Sequence, residues 1–165
     1  MTLVLGGARS GKSRFAEALV SAAGAATYIA TAEPRDVEMK SRIAAHRDRR
    51  GSSWQTLEAP LDLAAALSEA DTSGRPVLLD CLTLWLSNVM EDGRDIGGET
   101  DRLVSSLAYL TCPVVMVSNE VGQGIVPANA LARRFRDQAG ALNQTMAAFA
   151  DRVFFVTAGI PAQLK

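Results

Sequence analysis

An α/β fold, with a mostly parallel sheet and helices on both faces, is what this sequence predicts. Three observations predict it. Short apolar runs alternate with helix-period segments along the whole chain, as β-α-β units require. A glycine-rich loop stands between the first run and the first helical segment, where open α/β sheets hold ligands. The chain has 165 residues, 48% apolar and 21% charged, which suits a single soluble domain over residues 1–165 with a well-buried core.

The first strand-like run is residues 2–5, and the helical pattern after it covers 12–22, with Phe15, Leu19 and Ala22 at helical spacing. The second run is 27–30, followed by a helical segment over 36–50 and a turn at Gly51-Ser52-Ser53. A helix is expected at 61–70, a strand at 77–80 and a helix at 82–90. The stretch Asp92–Gly98, rich in glycine and charge, reads as a loop before a helix at 100–110. A strand at 114–118 leads to the clearest helix, 127–149. Pro127 pre-sets its first turn, and Leu131, Phe135, Leu142, Met146 and Phe149 recur near a 3.6 period. The last run is 153–156. There is no repeat, low-complexity tract or interdomain linker.

Composition narrows the function. No apolar stretch approaches the ~18 residues of a membrane span, and strand and loop begin at once, so neither a span nor a signal peptide is expected. Cys81 and Cys112 have no metal-ligand spacing and read as free thiols of a reducing cytoplasm. The net charge of −1 hides a basic segment, Arg35 to Arg50, with Arg35, Lys40, Arg42, Arg47, Arg49 and Arg50 against Asp36, Glu38 and Asp48. That patch is too small for a nucleic-acid groove and fits a bound polyphosphate better.

Residues 6–13 read Gly6-Gly7-Ala8-Arg9-Ser10-Gly11-Lys12-Ser13, a complete phosphate-binding loop. Gly6 and Gly11 let the backbone curl so that amides point at phosphate oxygens. Lys12 brings charge to the β/γ-phosphates, Ser13 a hydroxyl to Mg²⁺, and the helix N-terminus its positive dipole end. The expected fold is therefore that of the P-loop nucleoside-triphosphate hydrolases. Polar groups also follow the other strands: Thr31 and Ala32, Asp80, and Ser118-Asn119-Glu120.

Asp80 ends its strand where an acid can hold the Mg²⁺ carried by Ser13, and the metal role is favoured over a simple helix cap. His46 is the sole histidine. If 36–50 is helical, Arg42, Arg49 and Arg50 share its face and would keep the imidazole neutral and nucleophilic. From the residues alone, a lone histidine on a charged helix reads first as a solvated surface group. Asn119-Glu120, before Val121-Gly122-Gln123-Gly124, is either a substrate-facing turn or a loop that caps the long helix. Arg133, Arg134 and Arg136 read as a solvated helix face, and Trp54 and Trp85 as packing residues.

Seven blocks, in order, resemble the bifunctional adenosylcobinamide kinase/adenosylcobinamide-phosphate guanylyltransferase family of cobalamin biosynthesis. They are Gly6–Ser13, Tyr28-Ile-Ala-Thr-Ala32, Glu38-Met39 with Arg42-Ile43 and His46-Arg47, Trp54-Gln-Thr-Leu-Glu58, Asp80-Cys-Leu-Thr-Leu-Trp-Leu-Ser-Asn88, Asn119-Glu-Val-Gly-Gln-Gly-Ile-Val-Pro127 and Leu131-Ala-Arg-Arg-Phe-Arg-Asp-Gln-Ala-Gly140. The resemblance implies that adenosylcobinamide is phosphorylated by ATP or GTP, and that GMP then passes from GTP through a histidine to the cobinamide phosphate. The guanylylated histidine falls on His46. The implied nucleotide contacts are residues 6–13, Ala30, Thr31, Ala32, Arg47, Asp48, Arg49, Arg50, Glu58 and Asp80, with a homotrimer as the assembly. Arg49-Arg50-Gly51 stands where the family often has Gly-Arg-Pro, and Arg50 keeps the match. The alternatives are a monofunctional P-loop kinase without a covalent histidine, and a GTP-binding switch. The latter lacks its Asn-Lys-x-Asp guanine signature.

Overall fold

The computed structural model describes residues 1–22, 24–35, 37, 40, 41, 44 and 53–165. Among the described residues, seven strands form one sheet in the order β3-β2-β4-β5-β1-β6-β7. They are β1 (Thr2–Gly6), β2 (Ala26–Ala30), β3 (Trp54–Glu58), β4 (Val77–Asp80), β5 (Val114–Asn119), β6 (Arg152–Thr157) and β7 (Ile160–Gln163). All pairings are parallel except β6 with β7. The five helices bounded among the described residues are α1 (Lys12–Ser21), α2 (Leu63–Asp71), α3 (Leu82–Glu91), α4 (Ile96–Ala108) and α5 (Ala130–Phe149). The α/β architecture expected from the alternating pattern is the one observed.

Two cores follow from the two-residue period of the strands. Leu3, Leu5, Ile29, Leu79 and Met116 point to one face and pack with Leu67, Trp85, Leu107 and Leu142 from four helices. Val4, Tyr28, Leu78, Val115 and Val117 point to the other, against Ala16 and Val20 of α1. The buried stripe of α1 is thus Ala16 and Val20, with Phe15 and Leu19 at its flanks and Ala22 exposed beyond its end. Trp85 is buried, its indole N–H donating to the Leu61 carbonyl at 2.8 Å, and Trp54 packs at the edge of the second core.

The structure corrects several expected boundaries. Two strands, β3 and β7, went unpredicted because both are half-polar edges: Trp-Gln-Thr-Leu-Glu, and Ile-Pro-Ala-Gln, exposed throughout. A proline is tolerated on such an edge because one side of the strand has no ladder to complete. Helix α4 starts at Ile96, inside the stretch expected to be loop, because the Asp95 side chain caps it through the amides of Gly97 and Gly98. Helix α5 starts at Ala130 instead of Pro127, capped by Asn129, and Leu131 in its first turn is 65% exposed. Of the expected 36–50 helix, Val37, Lys40, Ser41 and Ala44 are helical; the rest lies outside the described residues.

Candidate active site

Gly6 closes β1, and the loop over 7–10 delivers the chain to Gly11, the N-cap of α1. The two glycines serve different ends. Gly11 has φ 95°, a left-handed geometry that an L side chain resists. Gly6 is needed for space: a Cβ there would lie 2.5 Å from Ser10 Oγ and 2.6 Å from the Val156 carbonyl oxygen. The second left-handed residue of the loop is Arg9, at φ 54°. Among the described residues Gly11 offers no side-chain cap, the Lys12 amide reaches Ser10 Oγ at 3.4 Å and no acid sits in the first turn, so the dipole end of α1 is open to an anion. Lys12 Nζ donates to the Gly7 carbonyl at 3.1 Å, and the Ser10 amide donates to the same carbonyl at 3.3 Å.

The loop is braced by residues that pattern reading did not single out. The β6–β7 hairpin turns through Ala158 (φ 52°) and Gly159 (φ 79°), both left-handed as a tight hairpin requires. The Gly159 amide donates to the Ser10 carbonyl at 2.7 Å. Its signal in the sequence was the Thr-Ala-Gly-Ile turn after the last apolar run.

The other strand ends are tied together at the same rim. Thr31, fully buried, accepts from the Cys81 amide and donates to the Cys81 carbonyl, both at 2.8 Å. Its hydroxyl is thus committed to joining β2 to β4, and Ala30 and Ala32 are the half-buried residues beside it. Asn88 Nδ2 donates to the Thr31 and Pro60 carbonyls at 2.9 and 3.0 Å. On β5, Asn119 Nδ2 donates to Thr83 Oγ1 at 2.5 Å, and Asn143 Nδ2 to the Asn119 carbonyl at 3.1 Å. Ser118 Oγ donates to Asn143 Oδ1 at 2.6 Å. Buried polar groups paired in this way hold a rim rigid.

Asp80 is half-buried at the end of β4, and Cys81 follows as the N-cap residue of α3, its sulfur 3.3 Å from Thr83 Oγ1. The Asp80–Cys81 peptide is cis. The Cys81 thiol is pushed up to about 11, chiefly by burial and then by the Asp80 charge, while the Lys12 ammonium pulls the other way. Strands β1 and β4 both pair in parallel with β5, so the phosphate loop and the Asp80 carboxylate leave the sheet at the same rim, two strand positions apart. Ser13 lies in the first turn of α1 beside Lys12.

Other expected residues fall elsewhere. Glu58 is exposed at the end of edge strand β3, beside a cleft lined by Leu57, Pro60, Asp62 and Ala65. Four strand spacings separate β3 from β1, about 19 Å at ~4.8 Å each, so Glu58 stands well apart from the phosphate loop. His46, Arg47, Asp48, Arg49 and Arg50 lie outside the described residues. Arg133 donates to the Pro127 and Ala128 carbonyls at 2.9 and 2.6 Å, bracing the start of α5, and Arg134 is exposed. Cys81 and Cys112 are free and buried.

A phosphate-binding loop, an uncapped helix N-terminus and a nearby strand-end carboxylate on a mostly parallel sheet define a P-loop type, nucleotide-using α/β protein. A family model described as "Cobinamide kinase / cobinamide phosphate guanyltransferase" matches residues 2–164, and the chain belongs to that family of transferases of cobalamin biosynthesis. It is similar to a bifunctional adenosylcobalamin biosynthesis protein of Pseudomonas aeruginosa, 50% identical over 99% of this chain and 96% of that one. Bifunctional adenosylcobalamin biosynthesis proteins of Salmonella typhimurium and Escherichia coli are 40% and 41% identical, each over 100% of this chain and 99% of their own length. The chain is thus a bifunctional kinase and guanylyltransferase acting on cobinamide.

Proposed function

We propose that the phosphate loop serves both half-reactions, and that the guanylyl group travels through His46. The observation that supports the shared site is geometric: the loop turns through left-handed Arg9 and Gly11 into the α1 N-terminus, and the Asp80 carboxylate ends a parallel strand at the same rim. In the first half-reaction the loop amides, Lys12 and Ser13 hold ATP or GTP, and the aminopropanol hydroxyl of adenosylcobinamide takes the γ-phosphoryl group. The Ser13 hydroxyl and Asp80 carboxylate are hard oxygen donors of the kind Mg²⁺ takes in ones and twos alongside phosphates. When bound, that ion would neutralise charge between the β- and γ-phosphates.

In the second half-reaction the His46 imidazole attacks the α-phosphorus of GTP and pyrophosphate leaves. The cobinamide phosphate oxygen then displaces the imidazole to give adenosylcobinamide-GDP. A histidine nucleophile makes the transfer a double displacement, so the corrinoid phosphate need not meet GTP directly. Arg47, Arg49 and Arg50, with Asp48 among them, are close to His46 in sequence, and their charge suits departing pyrophosphate. Ala30, Thr31, Ala32 and Glu58 complete the nucleotide contacts in this reading.

We further propose a cytoplasmic homotrimer. Two buried free thiols suit a reducing compartment. Ile125 (97% exposed), Val126 and Leu131 leave an apolar stretch at the rim that an assembled subunit would cover. Among the described residues no helix is long and apolar enough to cross a membrane.

The deciding experiment is His46→Ala. The variant is expected to lose GMP transfer and retain phosphorylation, since Lys12, Ser13 and Asp80 are untouched. Wild-type protein mixed with GTP and Mg²⁺ should gain one GMP through a P–N bond that is labile in acid and stable in alkali, read by intact mass. An alkali-labile adduct, or the same adduct on His46→Ala, rules His46 out.

A further inference from the structure

Phosphorylation releases a proton from the accepting hydroxyl, and the residues proposed above leave it without a destination. Three strand ends at the rim carry a carboxylate: Glu58 on β3, Asp80 on β4 and Glu120 just past β5. Strand order separates them. Glu58 is four spacings from the phosphate-loop strand, about 19 Å, and Asp80 is two, about 10 Å. Glu120 follows the strand adjacent to β1, about 5 Å away, and its amide donates to the Gly6 carbonyl at 3.0 Å. Strand β5 is also flanked on its other side by β4. The phosphate-loop strand and the Asp80 strand thus bracket the strand that ends in Glu120.

Its setting is rigid. The Asn119 carbonyl before it is held by Asn143, the Asn119 amide group by Thr83, and the Glu120 amide by Gly6. The Glu120 carboxylate accepts from the Gly122 amide through Oε1. Oε2 has no hydrogen bond among the described residues, and the side chain is half-buried at the rim. The exposed turn beyond it, residues 121–125, faces solvent, where a large acceptor can approach.

We propose that Glu120 is the general base of the kinase step. Its Oε2 takes the proton as the acceptor O–H bond breaks. The hydroxyl oxygen bonds to the γ-phosphorus, and the bond from that phosphorus to the β–γ bridging oxygen breaks. Its electron pair leaves on the nucleoside diphosphate. A carboxylate in this role suits a phosphoryl transfer whose catalysis is otherwise positioning and electrostatics. The assignment rests on the kinase activity of the family and is independent of His46.

Two variants test it. Glu120→Gln keeps a side-chain carbonyl for the Gly122 amide and so preserves the turn; Glu120→Ala opens room for a small carboxylate. In steady-state phosphorylation of adenosylcobinamide with MgATP, Glu120→Gln should lose about 100-fold or more in kcat, with the nucleotide KM within about threefold of wild type. Added formate should raise the rate of Glu120→Ala. Self-guanylylation with GTP, which has no hydroxyl to deprotonate, should persist in Glu120→Gln. The assignment is overturned if Glu120→Gln keeps kcat within about threefold, if its loss lies in KM, or if formate leaves Glu120→Ala unchanged. Wild-type protein assayed in parallel separates a failure of this assignment from a failure of the kinase reading itself.

Discussion

Replacing Gly6 by alanine tests whether the geometry of the phosphate loop is set by packing against the last strand. An added Cβ would meet Ser10 Oγ at 2.5 Å, the Val156 carbonyl oxygen at 2.6 Å and Ser10 Cβ at 3.3 Å. The serine hydroxyl can rotate away. The carbonyl cannot, because Val156 is the register partner of Gly6 in the β1–β6 ladder. Reaching an ordinary contact of about 3.4 Å needs a movement of about 0.8 Å at the base of the loop. Overpacking of this kind costs about 1–3 kcal/mol of stability. A displacement approaching 1 Å in groups that position a reacting phosphate costs up to ~100-fold in rate. Gly7→Ala is the internal control, because a Cβ there meets nothing within 4 Å and its φ is unexceptional. Urea denaturation of both apo variants should place Gly6→Ala about 1–3 kcal/mol below wild type and Gly7→Ala within about 0.5 kcal/mol. Nucleotide titration should show weaker binding for Gly6→Ala. Equal stability of the two variants, with wild-type nucleotide affinity for Gly6→Ala, would refute the packing argument.

Two further outcomes follow from the same rim. Lys12→Ala should lower both phosphorylation and guanylyl transfer by about 100-fold or more, because it removes phosphate charge and the Gly7 carbonyl contact together. Steady-state assays finding normal phosphorylation in that variant would contradict a shared loop. Burial and the Asp80 charge raise the Cys81 thiol from 9.0 to about 11, so the folded state favours the protonated form. The unfolded chain ionises first as pH rises. Stability should therefore be intact below pH 9 and fall between pH 9 and 11, by about 2 kcal/mol from this group. Denaturation at pH 8 and 10.5 checks the sign, and Cys81→Ala should show a shallower fall than wild type.

Much of the site was legible because its chemistry is local in sequence. The loop from Gly6 to Ser13 brings its glycines, its lysine and its helix N-terminus in eight consecutive residues, which is enough to predict phosphate binding. Interior strands were equally plain, since Leu3–Leu5, Leu78-Leu79 and Val114–Val117 are buried on both faces and read as continuous apolar runs. Edge strands were not, because half their surface faces water. Trp54–Glu58 and Ile160–Gln163 therefore look like loop until a neighbour supplies the ladder. Capping by Asp95 and Asn129 likewise overrode the glycine and proline signals that pattern reading weighed more heavily.

By itself the sequence determined the α/β class, the phosphate loop and the family, because periodicity, loop composition and ordered motifs are properties of neighbouring residues. Tertiary structure alone decided which strand ends meet. Sheet order sets Glu58 about 19 Å from the phosphate-loop strand and Glu120 about 5 Å from it, although Glu58 is the nearer of the two to the loop along the chain. It also decided that Gly159 braces Ser10, and that Thr31 spends its hydroxyl on Cys81. The physical reason is that hydrogen-bonded ladders join segments far apart in the chain. Distance along the sequence therefore carries little information about distance across the sheet.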